Sequence, residues 1–366
     1  MLYIDAVVIG AGINGMLTAL EFSKAFPNLE IVIFEKEKYS GEHSTSRNSG
    51  VLHAGIYYPY NSLKRETCLK GNKIWDDLAK EKDIKINRCG KYVVACNDEE
   101  LPILSQFYNR AKENGVEEIS WVDGDEFDNL KEIVDLKKAF FSPKTGCIDL
   151  SDTIQKFENE LYNKNIPLMK DSEVLNIKVE DGQFIVETKN EVLKTKILIN
   201  SAGLYSVKIR RMLGLFDLED YWVKGFYLKY SKKMNCSSLI YPVPLKNLKG
   251  LGVHTSFDSD GTVRFGPNAF DTKEIYYGHE DQNLETMYQA ISRVFKGVQK
   301  EFLSFDYSGI RSKIKLKGEL YTDFWIKGPK DHGISGYYEM CGIESPGFTA
   351  SPAIARLIVE KILNEN

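Results

Sequence analysis

Tyr3-Ile-Asp-Ala-Val-Val-Ile-Gly10-Ala-Gly12-Ile-Asn-Gly15 opens the chain, and Glu30-Ile-Val-Ile-Phe-Glu35 completes the same unit. The β-branched run at 3–9 predicts a strand, the glycines a tight turn, the stretch to about Phe26 a helix, and 30–35 a second strand. Both strands are apolar on both faces, as a parallel sheet covered by helices requires. Gly10 permits the strand-to-helix turn, Gly12 lets the backbone approach a pyrophosphate, and Gly15 with Ala19 lets the helix lie close to the sheet. The helix N-terminus then offers the N–H groups of Ile13 and Asn14 and a partial positive charge to phosphates. Glu35, twenty residues beyond Gly15, can accept hydrogen bonds from ribose hydroxyls and disfavours a 2′-phosphate. A dinucleotide site follows. The unit alone leaves NAD and FAD open.

Composition sets the outer bounds. The 366 residues carry 48 Lys and Arg against 52 Asp and Glu, a formal charge of −4, and 43% are apolar. That predicts a soluble globular protein with roughly two domains' worth of core. Disorder is excluded by the supply of aliphatic and aromatic side chains, and a nucleic-acid partner by the lack of excess cation. The six cysteines are scattered with no CxxC, so neither a metal site nor a disulfide framework is expected, and a reducing, cytoplasmic setting is the simplest one. No apolar run approaches twenty residues, which argues against a membrane span, and no secretion signal is visible. Peripheral contact with the inner face of a membrane stays open.

Farther along, helical spacing recurs at Leu63, Thr67, Ile74 and Leu78, at Leu101, Leu104, Tyr108 and Ala111, at Ile154, Phe157 and Leu161, and at Leu284, Met287, Tyr288, Ile291 and Val294. Strands are predicted at 91–96, 183–188 and 195–200, and a β-rich region at 221–268 with Asp258-Ser-Asp-Gly261 as a hairpin turn. A last helix is predicted from about Pro352 to Leu363. No Pro/Gly/Ser linker divides the chain, so interleaved domains fit better than consecutive ones. Two segments are suited to a large cofactor. The strand 195–200 runs into the small-residue turn Ser201-Ala202-Gly203, and Cys341-Gly-Ile-Glu-Ser-Pro-Gly-Phe-Thr-Ala-Ser-Pro352 prepares a second helix N-terminus for negative charge. In a flavoprotein, such a helix can stabilise the reduced ring.

Between these segments stand His43-Ser-Thr-Ser-Arg-Asn-Ser-Gly-Val-Leu-His53-Ala-Gly-Ile-Tyr-Tyr-Pro59, Cys89-Gly-Lys91, Thr145-Gly-Cys-Ile-Asp149, Tyr241-Pro-Val-Pro244, Leu251-Gly-Val-His254, Gly266-Pro-Asn-Ala269 and Gly309-Ile-Arg311. With the glycine turn, this series resembles the FAD-dependent L-2-hydroxyglutarate dehydrogenases and oxidases, a branch of the D-amino-acid-oxidase-like and glycerol-3-phosphate-dehydrogenase-like flavoproteins. The resemblance covers nearly the whole chain. It implies an α/β protein, with a Rossmann-like FAD-binding domain (1–85, 142–215 and 311–366) interleaved with an α+β substrate domain (86–141 and 216–310). The latter is built on a mixed, mostly antiparallel sheet.

The same resemblance implies FAD as cofactor, a small anionic L-2-hydroxy acid as substrate, and a quinone, oxygen or a carrier as electron acceptor. Gly10, Gly12, Ile13, Asn14, Gly15, Glu35 and Lys36 match the diphosphate and ribose contacts. Ser44, Arg47, Asn48 and Ser49 match the segment over the flavin, and Val174 the adenine contact. Ala202 and Gly203 pass close to the cofactor, and Gly342, Glu344, Ser345, Gly347, Phe348 and Thr349 match the loop beside the isoalloxazine. Three departures stand out: Ser46 where glycine is common, Ser312 where proline is usual, and Lys224 where arginine is frequent. Ser312 is expected to loosen the backbone around Arg311.

Oxidising a 2-hydroxy acid needs a base for the hydroxyl proton and cations for carboxylate. Histidine suits the first role because its ordinary pKa is near working pH. His53 and His254 lie in branch-specific segments and either fits, whereas His43, His279 and His332 read as solvated loop residues. Arg311, on a Gly-Ile-Arg turn, can grip a carboxylate with two parallel hydrogen bonds. Lys224 is a weaker cation candidate, as is Arg47, which fits the pyrophosphate equally well. Tyr57, Tyr58 and Tyr241 are candidates for lining the pocket. Competing readings are a glycerol-3-phosphate dehydrogenase, an amine or amino-acid oxidase, and a non-catalytic flavoprotein assembly factor.

Overall fold

In the computed structural model, which describes residues 2–244, 252–257, 261–279 and 282–365, the strands Ala6–Ile9 and Ile31–Phe34 pair in parallel and are buried throughout. The helix Ile13–Ala25 joins them. They belong to a six-stranded sheet ordered Leu168–Met169, Ile31–Phe34, Ala6–Ile9, Ile197–Asn200, Tyr337–Cys341 and Trp325–Lys327. Neighbours run parallel except at the last pair, which is antiparallel.

Alternation along these strands sends side chains to opposite faces. Ala6, Val8, Ile31 and Ile33 pack against Met16, Phe22, Trp75, Phe157, Ile354 and Ile358 from the helices Ile13–Ala25, Leu63–Lys82, Leu150–Asn163 and Gly347–Leu363. Val7, Ile9, Val32 and Phe34 pack the other way, onto Phe184, Val186 and Leu193. Helices therefore cover one face, and a small second sheet of Gln183–Thr188 and its neighbours covers the other.

The runs read as single strands at 3–9 and 195–200 are each divided between these two sheets. Leu2–Tyr3 pairs with Val192–Thr195 in the small sheet, and Ala6–Ile9 with Ile197–Asn200 in the large one. The crossing is held by Thr195 Oγ1, which donates to Asp5 O at 3.0 Å, and by Ile197 N, which donates to the same carbonyl at 3.1 Å. Hydrophobic pattern cannot show such a crossing, because both halves are apolar.

The C-terminal helix starts at Gly347, five residues ahead of the expected Pro352, which sits inside it. A proline there removes the hydrogen bond to the carbonyl four residues back, normally a cost of about 3 kcal/mol or more. Phe348 O is that carbonyl, and it accepts instead from Ser351 Oγ at 2.8 Å and Trp75 Nε1 at 3.2 Å. The Trp75 and Phe348 rings stack at 5.3 Å. The helix thus continues through its proline and carries its N-terminus back to Gly347.

The remaining strands form an antiparallel sheet built on the long pair Leu218–Tyr230 and Leu303–Leu316, a four-stranded mixed sheet containing Lys91–Ala95 beside Leu239–Pro242, and a small three-stranded sheet of Val51–Leu52, Gly146–Ile148 and Ile86–Asn87. Phe226, Leu228, Ile240, Phe265, Met287 and Phe295 share one core between the first two. The mixed sheet expected for the substrate domain is thus two sheets. The long strand passes without a break through 310/311, and Lys138–Ser142 through 141/142, so boundaries expected there fall inside strands. Arg311 accordingly lies mid-strand opposite Val223, not on a turn. Asp258 to Asp260 of the expected hairpin turn, and Leu251, lie outside the described residues.

Candidate active site

Two cavities, each about 960 Å³ of empty space open in part to solvent, share Asn14, Ser44, Thr45 and Ile343 in their walls and so form one trough. The helices Ile13–Ala25 and Gly347–Leu363 both begin at its edge, and neither has an acidic residue in its first turn. Both positive helix ends are therefore left for a ligand's negative charge.

One arm of the trough is lined by Gly10, Gly12, Glu35, Lys36, Val174, Ala202 and Gly203. Gly10 holds a φ of +101°, and a methyl there would lie 2.7 Å from Ser201 O. Gly15 lines neither cavity: a methyl on it would lie 2.0 Å from Gly10 O, so its task is to let the helix seat on the turn. Glu35 braces that turn, its two oxygens accepting from Ala11 N at 2.7 Å and Glu37 N at 2.9 Å. Each oxygen keeps a lone pair for a hydroxyl. Burial raises its pKa, while these two N–H groups oppose the shift. Lys36 Nζ pairs with Glu37 and lies 4.3 Å over the Tyr205 ring.

The other arm collects Ile13, Arg47, Asn48, Ser49, His53, His254, Arg311, Glu344, Ser345, Gly347, Phe348 and Thr349. Some of these are committed to the protein itself. Arg47 Nε donates to Glu42 O at 3.0 Å, with its guanidinium 3.9 Å over Tyr277. Asn48 Nδ2 donates to Ser44 O and Thr45 O within its own turn. Thr45, absent from the sequence-based candidates, accepts from Ile13 N at 3.1 Å and so occupies one helix N–H. Asn14 Oδ1 is buried with no hydrogen-bond partner. Gly342 lines neither cavity and holds the turn after Tyr337–Cys341 at a φ of +65°.

His53 follows the short strand Val51–Leu52. Its backbone is clamped: N donates to Thr349 Oγ1 at 3.0 Å, and its carbonyl accepts from Asn72 Nδ2 at 2.9 Å. Nε2 lies 3.3 Å from Ser345 Oγ, at the start of the C-terminal helix, while Nδ1 is buried without a partner. Burial, then Lys91, His254 and Arg311, hold the imidazole well below its usual pKa. His254 begins the strand His254–Phe257. Its Nδ1 donates to Thr255 O at 3.2 Å, and its ring stacks on Tyr241 at 3.7 Å. Burial brings its pKa to about 3, against the Thr255 carbonyl, with Lys91 and Arg311 adding to the fall. Both histidines are neutral acceptors in the free protein.

Arg311 Nη1 lies 3.5 Å from Glu344, whose other oxygen accepts from Lys64 and Lys313, each at 2.8 Å. Burial would raise the Glu344 carboxyl, but Lys64, Lys313 and Arg311 hold it at about 2. One carboxylate thus faces three cations, leaving net positive charge beside the trough. Ser312 Oγ donates to Ile343 O at 2.9 Å, so a tether replaces the rigidity a proline would give.

Lys224 does not line either cavity: its Nζ donates to Gly278 O and lies 4.9 Å from the Phe226 and Tyr276 rings. Tyr57, Tyr58 and Tyr241, expected to line the pocket, line neither cavity; the Tyr241 ring stacks on His254, and the Tyr57 and Tyr241 hydroxyls are buried without a hydrogen-bond partner. His43 is not solvated: it bridges Tyr277 Oη and Glu37. His279 stacks on Phe305 at 4.2 Å, and His332 Nδ1 accepts from Ile334 N at 3.2 Å. Sequence reasoning missed Lys91, buried at 1% exposure beside both histidines. The signal was its place in Cys89-Gly-Lys91. Among the described residues no group of His, Cys, Asp and Glu is arranged to hold a metal.

The trough, with two acid-free helix ends, a glycine cradle and the Glu35 carboxylate in its wall, fits an elongated dinucleotide such as FAD. Comparison with known proteins agrees. The sequence profile of the DAO family, described as FAD dependent oxidoreductase, matches residues 5–361. The chain is 31% identical to L-2-hydroxyglutarate dehydrogenase, mitochondrial, of Arabidopsis thaliana, over 98% of this chain and 83% of that protein. It is 30% identical to L-2-hydroxyglutarate dehydrogenase of Indibacter alkaliphilus, over 89% and 81%. Dithionite-reduced L-alpha-glycerophosphate oxidase of Mycoplasma pneumoniae, solved with FAD bound, superposes with a TM-score of 0.89 at 25% identity, over 100% of this chain and 96% of that one. By sequence along nearly its full length, and by architecture, the chain belongs to the FAD dependent oxidoreductase family.

Proposed function

We propose that this chain catalyses the FAD-dependent oxidation of L-2-hydroxyglutarate to 2-oxoglutarate. The observation that carries the reading is one cavity wall holding His53, Arg311 and the N-terminus of Gly347–Leu363 together, in a chain whose relatives are named for that reaction. FAD bound in the trough would supply a two-electron acceptor for the hydrogen leaving C2 with its electron pair. Gly10 and Gly12 would admit its diphosphate, Glu35 its ribose, and Val174 its adenine.

Arg311 binds the carboxylate next to C2 and fixes that carbon in reach of the cofactor. His53 accepts the C2 hydroxyl proton at Nε2, and its clamped backbone holds the ring in place. Its depressed pKa keeps it unprotonated before substrate arrives. A bound dianion then offsets Lys91 and Arg311 and draws the imidazole back toward its ordinary range, where a base works best. The electrons leave to a quinone, oxygen or a carrier protein. Six free cysteines fit a reducing, cytoplasmic setting. No described helix is long and apolar enough to cross a membrane, and peripheral contact remains compatible with an acceptor held there.

A second reading, oxidation of glycerol 3-phosphate, draws on the overlay with the Mycoplasma enzyme. The test mixes the yellow holoprotein anaerobically with L-2-hydroxyglutarate, its D enantiomer or glycerol 3-phosphate, and identifies the product. Bleaching by the L acid with formation of 2-oxoglutarate is expected. Bleaching by glycerol 3-phosphate in its place would overturn the assignment, and bleaching by none would favour a non-catalytic role.

A further inference from the structure

Two of the six cysteines meet at a place that the chemistry at C2 does not use. Asn87 pairs with Cys147, and Gly90 N donates to Thr145 O at 3.0 Å, so the segments carrying Cys89 and Cys147 run side by side. The two sulfurs, 58 residues apart in sequence, lie 4.0 Å from each other. A disulfide holds its sulfurs at about 2 Å, so a closing movement of about 2 Å would join them. Cys89 is partly exposed and Cys147 is buried, and neither lines the trough.

Their thiols are unequal. Cys89 alone of the six is held below the ordinary value, because the Cys147 S–H donates to its sulfur, against the effect of burial. Cys147 is pushed up by the same bond and by burial. Burial also pushes up Cys68, Cys96, Cys236 and Cys341. A thiolate is the nucleophilic form, so the partly exposed sulfur is the one prepared to react, with a second thiol poised behind it.

The pair also touches the supports of the site. Cys147 stands opposite Val51, which lines the cavity two residues ahead of His53. Val51 O accepts from Thr349 Oγ1 at 3.3 Å, and the same Oγ1 accepts from His53 N at 3.0 Å. Cys89 and Cys147 share an apolar cluster with Val51 and Tyr241, and the Tyr241 ring carries that of His254. Drawing the sulfurs together therefore pulls on what positions both histidines.

We propose that Cys89 and Cys147 form a redox-modification site, a dithiol that hydrogen peroxide closes to a disulfide, and that closure shifts the strand before His53 and slows flavin reduction. Cys89 sulfur attacks one peroxide oxygen; the S–O bond forms, the O–O bond breaks, and hydroxide leaves and is protonated to water. Cys147 sulfur then attacks Cys89 sulfur; the S–S bond forms, the S–O bond breaks, and the second oxygen departs as water with the Cys147 proton. Two thiols lose two electrons and two protons, and one peroxide becomes two waters. A thiol reductant reverses the step by exchange.

The test treats the FAD-loaded protein with hydrogen peroxide, removes the excess, and takes two readouts. Peptide mapping with the free thiols blocked is expected to find Cys89 joined to Cys147. Stopped flow with L-2-hydroxyglutarate is expected to show flavin reduction slowed at least tenfold, as for a displaced catalytic group, and restored by dithiothreitol. Cys89→Ser, and Cys89→Ala as a second variant, should match the untreated parent and keep that rate after peroxide. Cys236→Ser should still form the bridge and still slow. A bridge from Cys89 to Cys236, free thiols at both positions after peroxide, or equal slowing in the Cys89 variants would overturn the site. A disulfide that leaves the rate unchanged would overturn its effect on the reaction. The mapping needs no substrate, so a flavin that this acid never reduces would count against the reaction while the dithiol is still decided.

Discussion

Adding one methyl group at Gly15 and, separately, at Gly12 divides the glycine turn into its folding part and its cofactor part. At Gly15 the new carbon would stand 2.0 Å from Gly10 O and 2.6 Å from Ser201 Oγ, against 3.4 Å for ordinary contact. The helix must therefore move by about 1.4 Å. Gly10 cannot yield in its place, since it holds φ at +101° with Ser201 O pressed against its Cβ direction at 2.7 Å. Overpacking of this kind costs about 1–3 kcal/mol, and the upper end is expected here because both obstacles belong to the turn's own framework. At Gly12 the methyl meets only Thr45 Oγ1 at 3.0 Å, a small side chain, but projects where the backbone must approach a diphosphate. Gly15→Ala should thus lower the melting temperature of the FAD-free protein and weaken FAD binding. Gly12→Ala should weaken FAD binding by at least tenfold with the FAD-free protein nearly unchanged. Thermal unfolding without FAD and fluorescence titration with it read the two effects. A Gly15→Ala protein as stable as its parent, or a Gly12→Ala protein that binds FAD with full affinity, would refute the reasoning.

Three other consequences can be checked. His53→Gln should keep FAD bound while slowing flavin reduction by L-2-hydroxyglutarate on the order of 10²-fold or more, read by stopped flow; an unchanged rate removes His53 as the base. Arg311→Lys loses the paired donors and should raise the dissociation constant for 2-oxoglutarate by at least tenfold, with FAD affinity unaltered; equal affinity in calorimetry removes it from the substrate site. Glu344, held at about 2 by Lys64, Lys313 and Arg311, contributes stability that is full above its ordinary pKa of 4.5 and lost as pH falls from there toward 2. Glu344→Gln should cost on the order of 3 kcal/mol at pH 7 and flatten that acid limb in denaturant titrations; a variant with the parent's pH dependence would contradict the network.

Much of the fold was legible in residues 3–35, because a parallel βαβ unit around a phosphate leaves little freedom in where glycine and acid stand. The helices at 63–82, 101–113 and 150–163 were visible from period alone. What period could not show was where the chain changes sheet, at Asp5 and at Lys196, since both halves of each run are equally apolar. Pro352 misled for a different reason: the hydrogen bonds that make it tolerable come from Ser351 and from Trp75, which is distant in sequence. The same holds at the site. His53, His254 and Arg311 could be picked out by chemistry and meet in one cavity. Lys224, the weaker cation candidate, turns to Gly278 O. Lys91 stood in the sequence only as the start of a strand, and burial between two tyrosines sets it apart. Side-chain direction on a strand decides such cases, and it depends on pairing that local sequence does not state.

The most direct test of the central claim is anaerobic mixing of the holoprotein with L-2-hydroxyglutarate carrying either hydrogen or deuterium at C2. The flavin should bleach with the L acid, more slowly when C2 is deuterated, and yield 2-oxoglutarate, while the D enantiomer leaves the yellow colour intact. No bleaching by the L acid, or bleaching by both enantiomers at one rate, would contradict the account.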